Sequence, residues 1–139
     1  MIKITLPIYY VIKKKRKKNE RILVGMNWYR NAHYMQSNAV KHYYHKTISM
    51  LICSHKPSTV FDRVRVKYII YPFDKSADMM NIGACIDKFL MDSLQSNKII
   101  GNDNSGHYQY AQFEIGNFSK TSPRIQVEIE GIYHEDRLF

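Results

Sequence analysis

Residues Ile2-Lys3-Ile4-Thr5-Leu6 alternate apolar and polar, the period of a strand with one buried face. The pattern predicts a first strand there, continued past Pro7 through Ile8–Ile12. Arg63-Val64-Arg65-Val66-Lys67 alternates in the same way and then runs apolar to Tyr71. This predicts a strand half exposed and then buried, stopped at Pro72. Two further alternations, His107–Ile115 and Arg124–Glu130, are separated by the eight residues Gly116–Pro123. That short connection predicts an antiparallel hairpin.

Two stretches carry the helical period instead. In the first, about Ala32 to Ser54, the apolar positions Ala39, Val40, Tyr43, Tyr44, Ile48, Leu51 and Ile52 recur at three- and four-residue steps. Lys41, His42, His45 and Lys46 lie between them, and Arg21–Trp28 before them reads as a short extended segment containing Gly25. The second runs from Asn81 to Gln95, with Ile82, Ile86, Phe89, Leu90 and Leu94 on one broad face. At about 100° per residue, Asn81, Lys88 and Asp92 share a narrow polar stripe beside it, joined by Asp78 if the helix starts early. Pro57–Thr59 is a break and Phe73–Ser76 a loop. The β-α-β-α-β-β order predicts an α+β fold, a small mixed sheet with helices packed on it. At 139 residues the chain suits a single domain, with a polar tail after Gly131.

Charge changes the picture more than composition does. The chain is 45% hydrophobic, contains eleven tyrosines and carries a net charge of +9. Such an excess concerns partners and points first to phosphate backbones. Six consecutive cations, Lys13, Lys14, Lys15, Arg16, Lys17 and Lys18, repel one another and predict a basic loop or arm over 13–20. It reads either as a solubilising loop or as a phosphate-contacting arm. Cys53 and Cys85 both sit in apolar-periodic segments, where a cysteine behaves as a small buried hydrophobe. Two such thiols make no disulfide framework, which suits a reducing compartment. The apolar stretch Ile2–Ile12 precedes the basic run, contrary to the order in a signal peptide. No run approaches the about 18 apolar residues of a membrane span. The expectation is a soluble, cytoplasmic protein.

An amide, a lysine and one or two carboxylates aligned beside a buried face are what a metal-dependent phosphodiesterase requires, and Asp103 follows beyond the helix. The plainer alternative is a solvated stripe, with Asp92 paired to Lys88 four residues away and Asn102-Asp103-Asn104 only a turn. Trp28, Tyr29, Arg30, His33 and Tyr34 can stack on bases or form a packed helix entry. His42, His45, Cys53 and His55 match no closed zinc site in their spacing.

Taken in order, these segments resemble the RusA-like Holliday-junction resolvases, especially versions carried by phages of Gram-positive bacteria. The resemblance runs from Ile2-Lys3-Ile4-Thr5-Leu6-Pro7 through Asn27-Trp28-Tyr29-Arg30-Asn31 to Ser122-Pro123-Arg124, and is densest from Asp78 to Asp103. The family's Asp-x-Asp-Asn falls on Asp78 and Asn81, its lysine on Lys88, and its Asp-Ala-Leu on Asp92-Ser93-Leu94. The second acid of its terminal pair falls on Asp103, eleven residues beyond Asp92. Met80 and Asn102 stand where the family has acids. The resemblance implies a homodimeric endonuclease that resolves four-way DNA junctions with Mg²⁺, or Mn²⁺ in its place. Asp78 and Asp103 would be primary ligands, with Asp92 and Asn81 near the ion. Lys88 would steady charge on the phosphate, and Lys13–Lys18 with Arg30 would contact DNA. No small-molecule substrate and no membrane enter this reading. The alternative is a catalytically weak or inactive relative that still binds DNA. A plain RNA-binding module would leave the aligned acids unexplained.

Overall fold

Which neighbours the alternating segments choose decides the architecture. The protein was analysed as a computed structural model, which describes residues 1–57, 60–101 and 108–133. In chain order the elements are β1 (Ile2–Pro7), β2 (Tyr9–Ile12), β3 (Glu20–Leu23), α1 (Met26–Asn31) and α2 (Tyr34–Ile52). A 3₁₀ turn (Cys53–His55), β4 (Arg63–Tyr71), α3 (Met79–Ser96), β5 (Tyr108–Ile115) and β6 (Arg124–Ile132) follow. This is an α+β fold. Its four-stranded mixed sheet has the order β1-β6-β4-β5, and β2 and β3 form a separate two-stranded hairpin.

Three expectations need correction. β5 and β6 are not a hairpin: β5 pairs parallel with β4, and β6 pairs antiparallel with the other edge of β4. The eight connecting residues easily span two strand spacings, about 10 Å. Gly116 and Ser119 donate to the carbonyls of Ile70 and Pro72, tying that connection across the end of β4. The central position goes to β4 because alternate residues Val64, Val66, Tyr68 and Ile70 are all buried. Ile8–Ile12 does not prolong β1. The chain leaves the sheet at Pro7, which has no N–H to give a ladder, and Tyr9–Ile12 pairs with Glu20–Leu23 instead. The six cations are the loop of that hairpin, where Lys14 meets Glu20 at 2.8 Å. That ammonium holds the Glu20 carboxyl below its usual range. Arg21–Trp28 is accordingly not one extended segment: it divides between β3 and α1. Cys53, expected inside, is exposed, whereas Cys85 is buried and burial pushes its thiol up to about 12.

The sheet is covered on one face only. Ile2, Ile4 and Leu6 of β1, the four buried residues of β4 and Ile125, Val127 and Ile129 of β6 meet the apolar stripes of α2 and α3. The stripe of α2 is Val40, Tyr44, Ile48 and Ile52, and that of α3 includes Ile82, Ile86, Phe89 and Leu90. Tyr44 is buried completely, and its hydroxyl donates to the Pro7 carbonyl at 2.6 Å, fastening α2 to β1. Tyr44 and Phe89 stack with centroids 5.3 Å apart, which joins the two helices. The opposite face is charged and self-paired, by Lys3–Glu128, Arg65–Glu130 and Lys67–Glu114 at 3.9, 3.4 and 3.5 Å. Among the described residues no helix is long and apolar enough to cross a membrane.

Candidate functional site

α3 starts where β4 releases the chain, and its first residues settle the role of Asp78. Asp78 is the N-cap: its Oδ1 accepts from the backbone N–H groups of Met80 and Asn81 at 3.0 and 3.2 Å. Aspartate is favoured there because its oxygen satisfies donors that the helix leaves unpaired. Just before it, Asp74 is turned in on Ser76, whose backbone and hydroxyl hydrogen bonds hold that carboxyl below its usual range. Asn81 is equally engaged. Its Oδ1 accepts from the Asn27 N–H at 2.8 Å, where α1 begins. Gly25 makes that approach possible, since a Cβ on it would lie 2.3 Å from the Asn81 Nδ2. The expected stripe is thus a seam between α3 and the other helices. Lys88 lies along the same seam, with Nζ 6.0 Å from the Tyr29 ring centroid, and does not pair with Asp92.

Farther along, α2 and α3 part to leave a cleft of about 560 Å³. Lys41, His42 and His45 line it from α2, and Phe89, Asp92 and Gln95 from α3. His45 has a defined orientation. Its Nδ1 is 3.2 Å from the Ser93 Oγ, and that hydroxyl gives its own proton to the Phe89 carbonyl at 2.9 Å. Ser93 can therefore only accept from His45, so Nδ1 carries a proton and Nε2 is the ring's remaining polar atom.

A shared stripe is not a shared site. Asp78 and Asp92 are fourteen positions apart on one continuous helix, a separation of roughly 20 Å along its axis. Magnesium binds carboxylate oxygens at about 2.1 Å, so one ion cannot touch both within a chain. Among the described residues no three of His, Cys, Asp and Glu stand close enough to hold a metal. The expected ligand set of Asp78, Asn81 and Asp92 therefore does not assemble in one chain: Asn81 serves α1, and Asp92 belongs to the cleft. Asp103, expected as the other primary ligand, lies outside the described residues. Of the expected aromatic group, Trp28 and Tyr29 pack. The indole N–H of Trp28 donates to Gln36, and the Tyr29 ring meets Phe89 edge-on at 5.7 Å. His33 caps α2 by accepting from the Met35 N–H, while Arg30 and Tyr34 are exposed.

Helical periodicity gives no reason to single out Asp87, yet it accepts the hydroxyl proton of Tyr68 in the middle of β4. Its signal lies in the strand: a buried tyrosine must find a partner for its O–H. A second feature is a matter of counting. Only one of the chain's 12 acids, Glu20, lies before Asp62, against 12 of its 21 lysines and arginines. Residues 1–61 therefore carry +11 and the remainder −2. Arg21–Phe61, which builds α1 and α2, has no acid at all.

No model of a known protein family matches the chain, and no curated protein sequence does so either.

Proposed function

We propose that the protein is a RusA-like endonuclease acting on branched DNA as a homodimer, with a divalent cation such as Mg²⁺. One observation carries the reading: α3 presents Asp78 and Asp92 on the helical side, beside two helices and a hairpin loop that are almost free of acids. A carboxylate within a phosphate-binding surface repels its own ligand. It is better explained where a cation comes between the two. The oxygen donors of these residues suit magnesium in kind. Their separation does not suit one ion in one chain, so no catalytic step is assigned to the metal here. The order of elements and the positions of Asp78, Asn81, Lys88, Asp92 and Asp103 accord with the resemblance. Lys13–Lys18 and Arg30 supply sequence-independent backbone contacts.

A second reading, a RusA-like protein that binds junctions without cutting them, is favoured by one specific arrangement. The Oδ1 atoms of Asp78 and Asn81 are already spent on backbone donors. Cleavage of a labelled four-way junction in Mg²⁺, compared with binding in EDTA, separates the two. Wild-type protein should cut, and Asp78→Asn, Asp92→Asn and Asp103→Asn should each lower the rate at least about 100-fold while junction binding persists. Such a loss is about 2.7 kcal/mol, ordinary for a lost transition-state contact. Binding without cutting by the wild type establishes the second reading instead.

A further inference from the structure

The hairpin loop explains six positive charges but leaves the acid-free stretch Arg21–Phe61 without a use. The cations of that stretch are not distributed evenly over the molecule. The open face of the sheet pairs its charges across neighbouring strands, through Lys3–Glu128, Arg65–Glu130 and Lys67–Glu114. The helical face carries Lys41, His42, His45 and Lys46 on a helix with no carboxylate of its own. Lys41, His42 and His45 also form one wall of the molecule's large cleft, opposite Asp92 and Gln95.

From this the geometry points to the α2–α3 cleft as the groove that takes the sugar–phosphate backbone of a DNA strand, with phosphates on the α2 wall. The inference rests on the proposed DNA substrate and says which surface grips it. Charge complementarity selects the occupant. A groove with one cationic wall, near a loop of six further cations, attracts a polyanion and steers it over distance. Its width suits a chain rather than a flat partner, and Phe89 and Ser93 close its floor. Imidazole and ammonium groups on one side and an amide on the other match phosphate and sugar oxygens. Asp92 gives the groove a polarity. It presents a negative charge to the strand from α3, where the proposed reading puts a cation.

That arrangement makes a prediction of opposite sign for the two walls. Affinity for a fluorescent four-way junction is measured in EDTA over a series of salt concentrations, with the full-length chain. Lys41→Gln/His42→Gln should weaken binding about tenfold and lower the log–log salt slope by about one, the effect of losing one phosphate contact. Asp92→Asn should tighten binding in EDTA by at least about threefold, because it removes a like charge from the path. Lys3→Gln/Lys67→Gln on the open sheet face should change neither affinity nor slope. Circular dichroism checks that each variant keeps its fold. Binding unaffected by the α2 double variant, or weakened by Asp92→Asn, overturns the groove. Loss from the open-face variant equal to that from α2 also overturns it. If wild-type protein binds no junction at all, the DNA reading falls with it. If the walls behave as stated but nothing is cut in Mg²⁺, the groove stands and only the nuclease reading fails.

Discussion

Lys98 has φ = 58°, the left-handed conformation that costs a side chain about 1–2 kcal/mol and costs glycine little. It is held there by the way α3 ends. Lys98 N–H donates to Gln95 and Ile99 N–H to Leu94, so two otherwise unpaired carbonyls of the last turn are satisfied. Ile99 and Leu94 are both buried, which adds the apolar contact that often closes such an end. Lys98→Gly should therefore stabilise the protein by about 1 kcal/mol and raise its Tm by roughly 3 °C. Thermal denaturation followed by circular dichroism is the check, and a lower Tm would contradict this account. Other residues show how far single positions could be read from the chain. The stripe of Asn81, Lys88 and Asp92 was legible because it follows from 3.6 residues per turn. Their separate duties were not, because a wheel records angle and discards height. Asp78 reads as a helix cap from its place before Met79–Ser96, and that local duty competes with metal binding for the same oxygen.

At the scale of elements, burial period was legible and partner choice was not. β1, β4 and β6 have the buried alternation that their sequences predict, since period alone sets which face turns inward. Nothing in the eight residues Gly116–Pro123 distinguishes a hairpin from a crossing of β4. The parallel β4–β5 pair is decided by how α3 packs on the sheet, a contact between distant residues. Gly83 marks that packing. A glycine inside a helix costs about 1 kcal/mol relative to alanine, yet a Cβ at this position would lie 2.5 Å from the Phe113 ring. Phe113 cannot simply turn aside, because it stacks on the buried Tyr68 with centroids 4.9 Å apart. Gly83→Ala should then destabilise by about 1–3 kcal/mol, the usual cost of overpacking, despite its gain in helix propensity. Urea unfolding measures it. An unchanged or higher midpoint would mean that α3 and β5 are not so closely apposed.

At the scale of the whole molecule, two kinds of surface remain on the helical side. One is the cationic wall of the cleft. The other is apolar: Tyr43 and Met50 lie seven residues apart on α2, 39% and 67% exposed, and turn away from His42. Tyr43 meets Tyr10 of the hairpin edge-on at 5.4 Å, and Val11 beside it is 49% exposed. The patch therefore spans two elements, as contiguous apolar interaction surfaces do. A four-way junction is resolved only when two opposed strands are cut at related positions. A two-fold pair of chains provides that symmetry, because the same patch meets itself across the axis. Joining two chains through Tyr43, Met50 and Val11 would leave both clefts open to DNA. Light scattering at micromolar concentration should thus give a mass twice 16.5 kDa. Met50→Glu, which puts a charge at the centre of the patch, should return it toward 16.5 kDa without loss of helical signal. The monomer should still bind junctions in EDTA but leave single nicks in Mg²⁺. A wild-type mass of 16.5 kDa that persists with junction present would remove the dimer and the paired-cut mechanism together.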